Sequence, residues 1–199
     1  MTIEKEYYEI EGFWANFNNE QANKDRVEVI FSHMPKNMGS ILDAGCGSGI
    51  LVNFLSDMLG KECLLHGLDR SHAALKHVKT NKSSGDLSSM EFSDKQFDLV
   101  ACLEVIEHLP VPTYNKSLSE LCRVANKYVM ISVPNNEDVT SSFIECSSCQ
   151  SKFNPDYHLR SYSKEIMEVL LNDYGYKPVK IFFVGEHRYY KGLTFFVNF

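Results

Sequence analysis

The sequence predicts an α/β fold: a mostly parallel seven-stranded sheet with helices on both faces and an antiparallel hairpin at its C-terminal end. Three observations predict it. Apolar runs that read as strands alternate with helical patterns five times, which is the signature of parallel strands joined by crossover helices. The run from Phe97 to Leu103 is continuously apolar after Asp98, as expected of a strand covered on both faces. The last two β-rich runs, Val179 to Val184 and Leu193 to Phe199, are close enough in sequence to pair antiparallel.

Residues 1–19 are rich in aromatics (Tyr7, Tyr8, Phe13, Trp14, Phe17) without a clean period. They read as a segment packed over the domain, or as a lid on a binding site. A helix is predicted from Glu20 to His33, because Val27, Ile30, Phe31 and Met34 form one apolar stripe. Pro35 ends it. The first strand is Ser40 to Asp43. The next helix carries Leu51, Phe54, Leu55 and Met58 on one face, and Gly60 closes it. The second strand is Glu62 to Leu68, and Ser71 is placed to cap a short helix burying Ala74, Leu75 and Val78. Residues 79–90 are polar, and the third strand is the least defined element. A helix near Pro112–Ala125 carries Leu118, Leu121, Cys122 and Ala125, and the fifth strand is Tyr128 to Val133. Residues 134–162 are long for a connection, and a loop of this length without its own pattern reads as a functional or flexible insertion. The last helix, Lys164 to Tyr174, is closed by Gly175.

A chain of 199 residues fits a single domain, 1–199, with residues 1–36 as the N-terminal segment. Its 44% hydrophobic and 23% charged residues are ordinary for a globular protein. A net charge of −6 argues against a large nucleic-acid footprint, which shows as a basic face, and leaves a local basic groove open. No apolar run approaches the ~20 residues that span a membrane. The charged stretch Met1 to Ile10 has no signal-peptide core, so a cytoplasmic location is expected. Cys46, Cys63, Cys102 and Cys122 fall in core elements or the glycine turn and read as small buried hydrophobes.

The chemistry centres on Ile41-Leu42-Asp43-Ala44-Gly45-Cys46-Gly47-Ser48-Gly49. An apolar run ends in a carboxylate, three glycines follow at alternate positions, and a helix begins. Glycine lets a ligand approach the main chain closely, and the first amides of a helix point outward as donors. Twenty residues past Gly49, Asp69 closes the second apolar run, where an acid can accept ribose hydroxyls. A dinucleotide fingerprint would need glycine at position 50, which is Ile50, so an NAD-linked reading ranks last.

The form Asp-x-Gly-x-Gly-x-Gly instead resembles motif I of the class I, Rossmann-like S-adenosylmethionine-dependent methyltransferases. Gly85-Asp86-Leu87 looks like that family's adenine-binding corner, Phe97-Asp98-Leu99-Val100 like its fourth strand, and Glu104-Val105-Ile106-Glu107-His108-Leu109 like the segment after it. The resemblance covers roughly residues 38 to 134. It implies that Gly45, Cys46, Gly47 and Gly49 pass beneath S-adenosylmethionine. Asp43 would lie near its methionine end, and Asp69 with Arg70 near the ribose. Asp86 and Leu87 would read the adenine, and Leu103 and Glu104 would lie near the methyl-bearing sulfur. S-adenosylhomocysteine would be the product.

Glu104, Glu107 and His108 stand at i, i+3 and i+4 and would share a face if helical. Three roles stay open for them: structural; general base, with His108 as the catalytic residue; or divalent-metal binding. For the last, the segment looks like the metal motif of small-RNA 2′-O-methyltransferases and of polyprenyl-dihydroxybenzoate O-methyltransferases, with His158 completing the site. A metal is left open, and no residue is committed as its ligand. Cys146 and Cys149 form half a zinc-knuckle signature, to which His158 could add a third ligand. The leading reading is methyl transfer to an oxygen or nitrogen of a small-molecule acceptor. The alternatives are metal-dependent RNA 3′-end 2′-O-methylation and a non-catalytic cofactor-binding scaffold subunit. Neither the acceptor nor the oligomeric state is readable from these residues.

Overall fold

The computed structural model describes residues 6–17, 21–187 and 190–198. Two helices, α1 (Glu11–Phe17) and α2 (Gln21–His33), precede the sheet. Then follow β1 (Ser40–Ala44), α3 (Ile50–Leu59), β2 (Leu64–Asp69), α4 (His72–Leu75), β3 (Asn81–Ser84) and β4 (Phe97–Leu103). A short 3₁₀ turn (Ile106–His108) leads into α5 (Val111–Val124) and β5 (Ala125–Pro134). A small hairpin, β6 (Ile144–Glu145) and β7 (Lys152–Phe153), comes before α6 (Lys164–Asp173), β8 (Lys177–His187) and β9 (Tyr190–Asn198). Glu20 and Phe199, two of the expected element ends, lie outside the described residues.

The main sheet has seven strands in the order β3-β2-β1-β4-β5-β9-β8. The first five are parallel, and β9 runs antiparallel to both β5 and β8. The chain therefore winds outward from β1 in one direction and from β4 in the other. The crevice where the direction reverses, at the carboxyl ends of β1 and β4, is where open α/β sheets bind ligands.

Neighbouring residues on the central strands feed opposite sides of the sheet, as a period of two requires. Leu42, Val100 and Ile131 pack with Leu118 and Leu121 of α5 and Met167 and Leu171 of α6. Ile41, Leu99 and Met130 pack with Val27 and Ile30 of α2 and Leu51 and Leu55 of α3. Burial on both faces is why these strands are continuously apolar.

Outside the cavity the structure departs from the sequence reading at several elements. Ala125 was expected at the end of a helix, but α5 stops at Val124 and β5 begins at once, with Ala125 paired to Phe97. An alanine four residues after Leu121 suits the stripe, and sheet pairing overrides it. The third strand is Asn81-Lys82-Ser83-Ser84, a polar edge strand held by pairing with the β2 backbone and by hydrogen bonds from its side chains, with no apolar pattern to mark it. Met58 and Ile166 fall on helical stripes yet are 55% and 52% exposed, because each stripe extends past the surface it covers. The connection 134–162 contains the β6–β7 hairpin and returns to the body through Asn136 N–H, which donates to Tyr162 O at 2.7 Å.

Candidate active site

The glycine turn is shaped by backbone conformation. Gly45, Gly47 and Gly49 have φ of 80°, 52° and 79°, in the left-handed region that favours glycine. The amides of Gly45 and Cys46 both donate to Leu68 O, at 2.7 and 3.0 Å, which ties the turn to the end of β2. Space demands glycine too: a Cβ on Gly45 would stand 2.6 Å from Val105 Cγ2, and one on Gly47 would stand 2.8 Å from Trp14 Cζ3. Gly49 turns away and forms the N-cap of α3.

Two carboxylates flank this turn. Asp43 is buried, and its carboxylate accepts from the amide of Val52 in the first turn of α3. Burial pushes its pKa up to about 7; the Val52 amide pulls it down, and the charge of Asp69 adds to the rise. Asp69 accepts from Gly47 N–H and Ser71 N–H, both at 2.8 Å. Its carboxyl is also held above its ordinary value by burial, against the pull of those two amides. Ser71 caps α4 as expected, its Oγ accepting from Ala74 N–H at 3.0 Å and donating to Tyr8 O at 2.6 Å. Asp86 accepts from Ser88 N–H and Oγ–H at 2.8 and 2.7 Å, so it orders its own loop as well as facing the cavity.

The N-terminal segment closes over these elements. Trp14 Nε1–H donates to Tyr8 O at 2.7 Å, and the Glu9 carboxylate accepts from the amides of His72 and Ala73 at the start of α4. The Arg70 guanidinium lies 5.7 Å from the Tyr8 ring centre. Tyr8 meets His108 edge-on at 6.3 Å, and Tyr7 meets Tyr157 at 5.6 Å. The segment thus reaches from the glycine turn to the residues after β4.

Those residues do not form the α-helical face that the i, i+3, i+4 spacing suggested. Glu104 takes a left-handed conformation (φ 54°) at the end of β4, and only Ile106–His108 coil, as a 3₁₀ turn. Glu104 Oε1 accepts from Ser132 Oγ–H at 2.7 Å, and Oε2 lies 3.8 Å from Arg26. Glu107 is fully buried, and among the described residues neither of its oxygens has a hydrogen-bond partner. Burial, reinforced by the negative charge of Glu104, holds its carboxyl well above the usual range. His108 Nδ1 is likewise buried without a partner. Burial, then the nearby His158, pushes the His108 pKa down to about 3.

His158, fifty residues away in sequence, is delivered to this spot by the loop after β7. Leu159 N–H donates to Glu107 O at 2.9 Å, and Arg160 donates to the carbonyls of Ile106 and Leu109. One potential ligand atom each from Glu107, His108 and His158 lies within 4.8 Å of the others. Glu137, which the sequence reading did not single out, bonds His158: Oε2 is 2.6 Å from Nδ1. Among the described residues no other group of three potential ligands occurs. Cys146 and Cys149, in the turn of the β6–β7 hairpin, therefore have no third ligand there, and His158 belongs to the other cluster.

A single cavity of about 790 Å³ unites these parts, within the range of small-molecule and cofactor sites. Asp43, Gly45, Cys46, Gly47, Asp69, Arg70, Asp86, Leu87, Leu103, Glu104 and His108 all line it; Gly49 does not. A family model described as a methyltransferase domain matches residues 14–181. The chain belongs to this family. It is a class I S-adenosylmethionine-dependent methyltransferase by sequence family and by fold.

The ubiquinone biosynthesis O-methyltransferase of Thiobacillus denitrificans is 31% identical over 114 residues, 50% of this chain and 48% of that protein. The chain thus spans about half the length of the curated relatives it matches. The magnesium protoporphyrin IX methyltransferase of Synechocystis PCC 6803, crystallised with SAH, superposes with a TM-score of 0.73 at 17% identity, covering 98% of both chains. The methyltransferase domain of bacterial CtHen1 superposes at 0.66 with 20% identity, covering 90% of this chain and 100% of that one. Among the described residues no helix is long and apolar enough to cross a membrane.

Proposed function

We propose that this methyltransferase moves a methyl group from S-adenosylmethionine to an oxygen or nitrogen of a small-molecule acceptor, with oxygen favoured by the chemistry of the site. The observation that carries the reading is the single cavity, lined both by Asp69, Asp86 and the glycine turn and by Glu104, Glu107, His108 and His158, under the rings of Tyr7, Tyr8, Phe13 and Trp14.

In this reading Gly45 to Gly47 run beneath the cofactor, with Asp43 near its methionine end. Asp69 holds the ribose, with Arg70 alongside. Asp86 and Leu87 meet the adenine edge, and Leu103 and Glu104 lie near the sulfur. The cofactor brings a methyl on a sulfonium, ready for a single displacement. The chain's task is then to hold the acceptor in line, which can supply much of the rate enhancement. The aromatic cover suits a flat acceptor and excludes water.

The Glu107 oxygens and His108 Nδ1 are polar atoms buried without partners, and such atoms are costly. A divalent cation would satisfy them, and oxygen and nitrogen donors suit Mg²⁺, Mn²⁺ or Zn²⁺. Glu107, His108 and His158 would hold it, with Glu104 nearby, and it would lower the pKa of an acceptor hydroxyl. A His108 with a pKa of about 3 is neutral and weakly basic at pH 7, which favours lone-pair donation over general-base work. The O-methyltransferase name of the Thiobacillus relative agrees with an oxygen acceptor.

The test is calorimetry with S-adenosylmethionine on the wild type and Asp69→Ala, with and without a chelator. Binding that weakens roughly tenfold or more in Asp69→Ala, a loss of about 1.4 kcal/mol, supports the cofactor assignment. Absence of binding in both conditions refutes it. Turnover is then assayed on small hydroxylated aromatics beside an RNA 3′ end. Chelator-sensitive methylation of the former is the expected result, and turnover of RNA alone would replace the small-molecule reading.

A further inference from the structure

We infer that Glu137 is the positioning residue of this site: it holds His158 as the Nδ1–H tautomer and leaves Nε2 as the nitrogen with a lone pair to offer. The inference rests on the metal-assisted reading above. It assigns a role to a residue outside the three ligand candidates.

The bond between His158 Nδ1 and Glu137 Oε2 is 2.6 Å, short for a nitrogen–oxygen hydrogen bond. With a carboxylate oxygen as the acceptor, the ring nitrogen donates. The two side chains are 10% and 7% exposed, so water does not compete for the bond. Among the described residues the His158 ring has no other hydrogen bond.

The backbone around both residues is tied down, which leaves ring rotation as the freedom that Glu137 removes. Tyr157, just before His158, is in a left-handed conformation (φ 59°), and Leu159, just after it, donates its amide to Glu107 O. Asn136, just before Glu137, is also left-handed (φ 54°), and its amide donates to Tyr162 O. Tyr157 is a residue type that rarely adopts such angles, so its conformation persists because its surroundings enforce it. Glu137 itself is a poor choice for stability alone. Its Oε1 is buried without a hydrogen-bond partner among the described residues, which is destabilising. A carboxylate behind a ligating histidine fixes the tautomer and the ring plane, and its loss typically weakens metal binding by about 10–100-fold.

The experiment is Mn²⁺ titration of the full chain by electron paramagnetic resonance, on wild type, Glu137→Met, Glu137→Gln and Glu107→Gln. The His158 tautomer is read in parallel by ¹⁵N NMR, and S-adenosylmethionine affinity by calorimetry. Methionine removes the acceptor at similar length, whereas glutamine keeps an acceptor oxygen and drops the charge. The expected result is Mn²⁺ binding by the wild type and a loss of about 10–100-fold in Glu137→Met. Most of that loss should return in Glu137→Gln. His158 should keep one tautomer in wild type and Glu137→Gln and become mixed in Glu137→Met, with cofactor affinity unchanged in all three.

Wild type and Glu137→Met binding Mn²⁺ equally would overturn the assignment while leaving the metal reading intact. A wild type that binds no Mn²⁺, or a Glu107→Gln that binds as well as wild type, would overturn the metal reading itself. Parallel loss of Mn²⁺ and cofactor binding in Glu137→Met, unrelieved in Glu137→Gln, would reduce Glu137 to a structural residue.

Discussion

Replacing Asp43 by asparagine should make the cofactor-free protein more stable near neutral pH. Asp43 is buried at the end of β1, and its folded-state pKa is about 7 against an ordinary 3.8. Its folded pKa is therefore raised. Between the two values the unfolded chain has released the proton and the folded chain still holds it, so stability falls as pH rises. Each pKa unit is worth about 1.4 kcal/mol, so the gap of about three units corresponds to roughly 4 kcal/mol. That stability is present in full below pH 3.8 and gone above about pH 7. Asparagine cannot ionise and escapes the loss. Its carbonyl still accepts from Val52 N–H, while its amino group needs a partner at a cost of about 1–3 kcal/mol, which shifts the whole curve without changing its slope.

The assay is urea unfolding of both chains from pH 4 to 8.5, without cofactor. The difference in unfolding free energy, asparagine minus aspartate, should grow by up to about 4 kcal/mol between pH 4 and 7 and level off above. Asp69, also raised by burial, is present in both chains and cancels to first order. A difference independent of pH would refute the reasoning, because Asp43 would then ionise in the folded state as it does in the unfolded one.

Gly45→Ala should cost about 2–4 kcal/mol, because the new Cβ meets Val105 Cγ2 at 2.6 Å and the backbone sits at φ 80°. The double variant with Val105→Ala should recover the steric share but not the backbone share, as read by urea unfolding. Trp14 is the one tryptophan of the chain and covers Gly47, so its emission should change when S-adenosylmethionine is titrated in. An unchanged spectrum during binding seen by calorimetry would mean that the aromatic segment does not respond to the cofactor.

The glycine turn and its flanking acids were legible in the residues because they depend on local physics. The left-handed glycines, the acid at the end of β2 and the Ser71 cap each follow from a few neighbouring side chains and from backbone sterics. So does the alternation that yields a parallel sheet with one antiparallel strand. The third strand was harder to see, since Asn81 to Ser84 are polar and owe their conformation to pairing with His66 to Asp69.

The acceptor side depended on the fold. Helical spacing suggested that Glu104, Glu107 and His108 share a face, but a left-handed residue and a 3₁₀ turn arrange them instead. His158 was singled out through the resemblance to metal-dependent methyltransferases rather than by any local spacing, and Glu137 carried no signal. Their 2.6 Å contact exists because Asn136 and Tyr162 pair their backbones and Leu159 bonds to Glu107 O. Backbone strain and local hydrogen bonding are written in short stretches of chain, so sequence determined the glycine turn. Burial and the meeting of distant loops are properties of the assembled core, so tertiary structure decided that Glu137 backs His158 and that Glu107 is buried without a hydrogen-bond partner among the described residues.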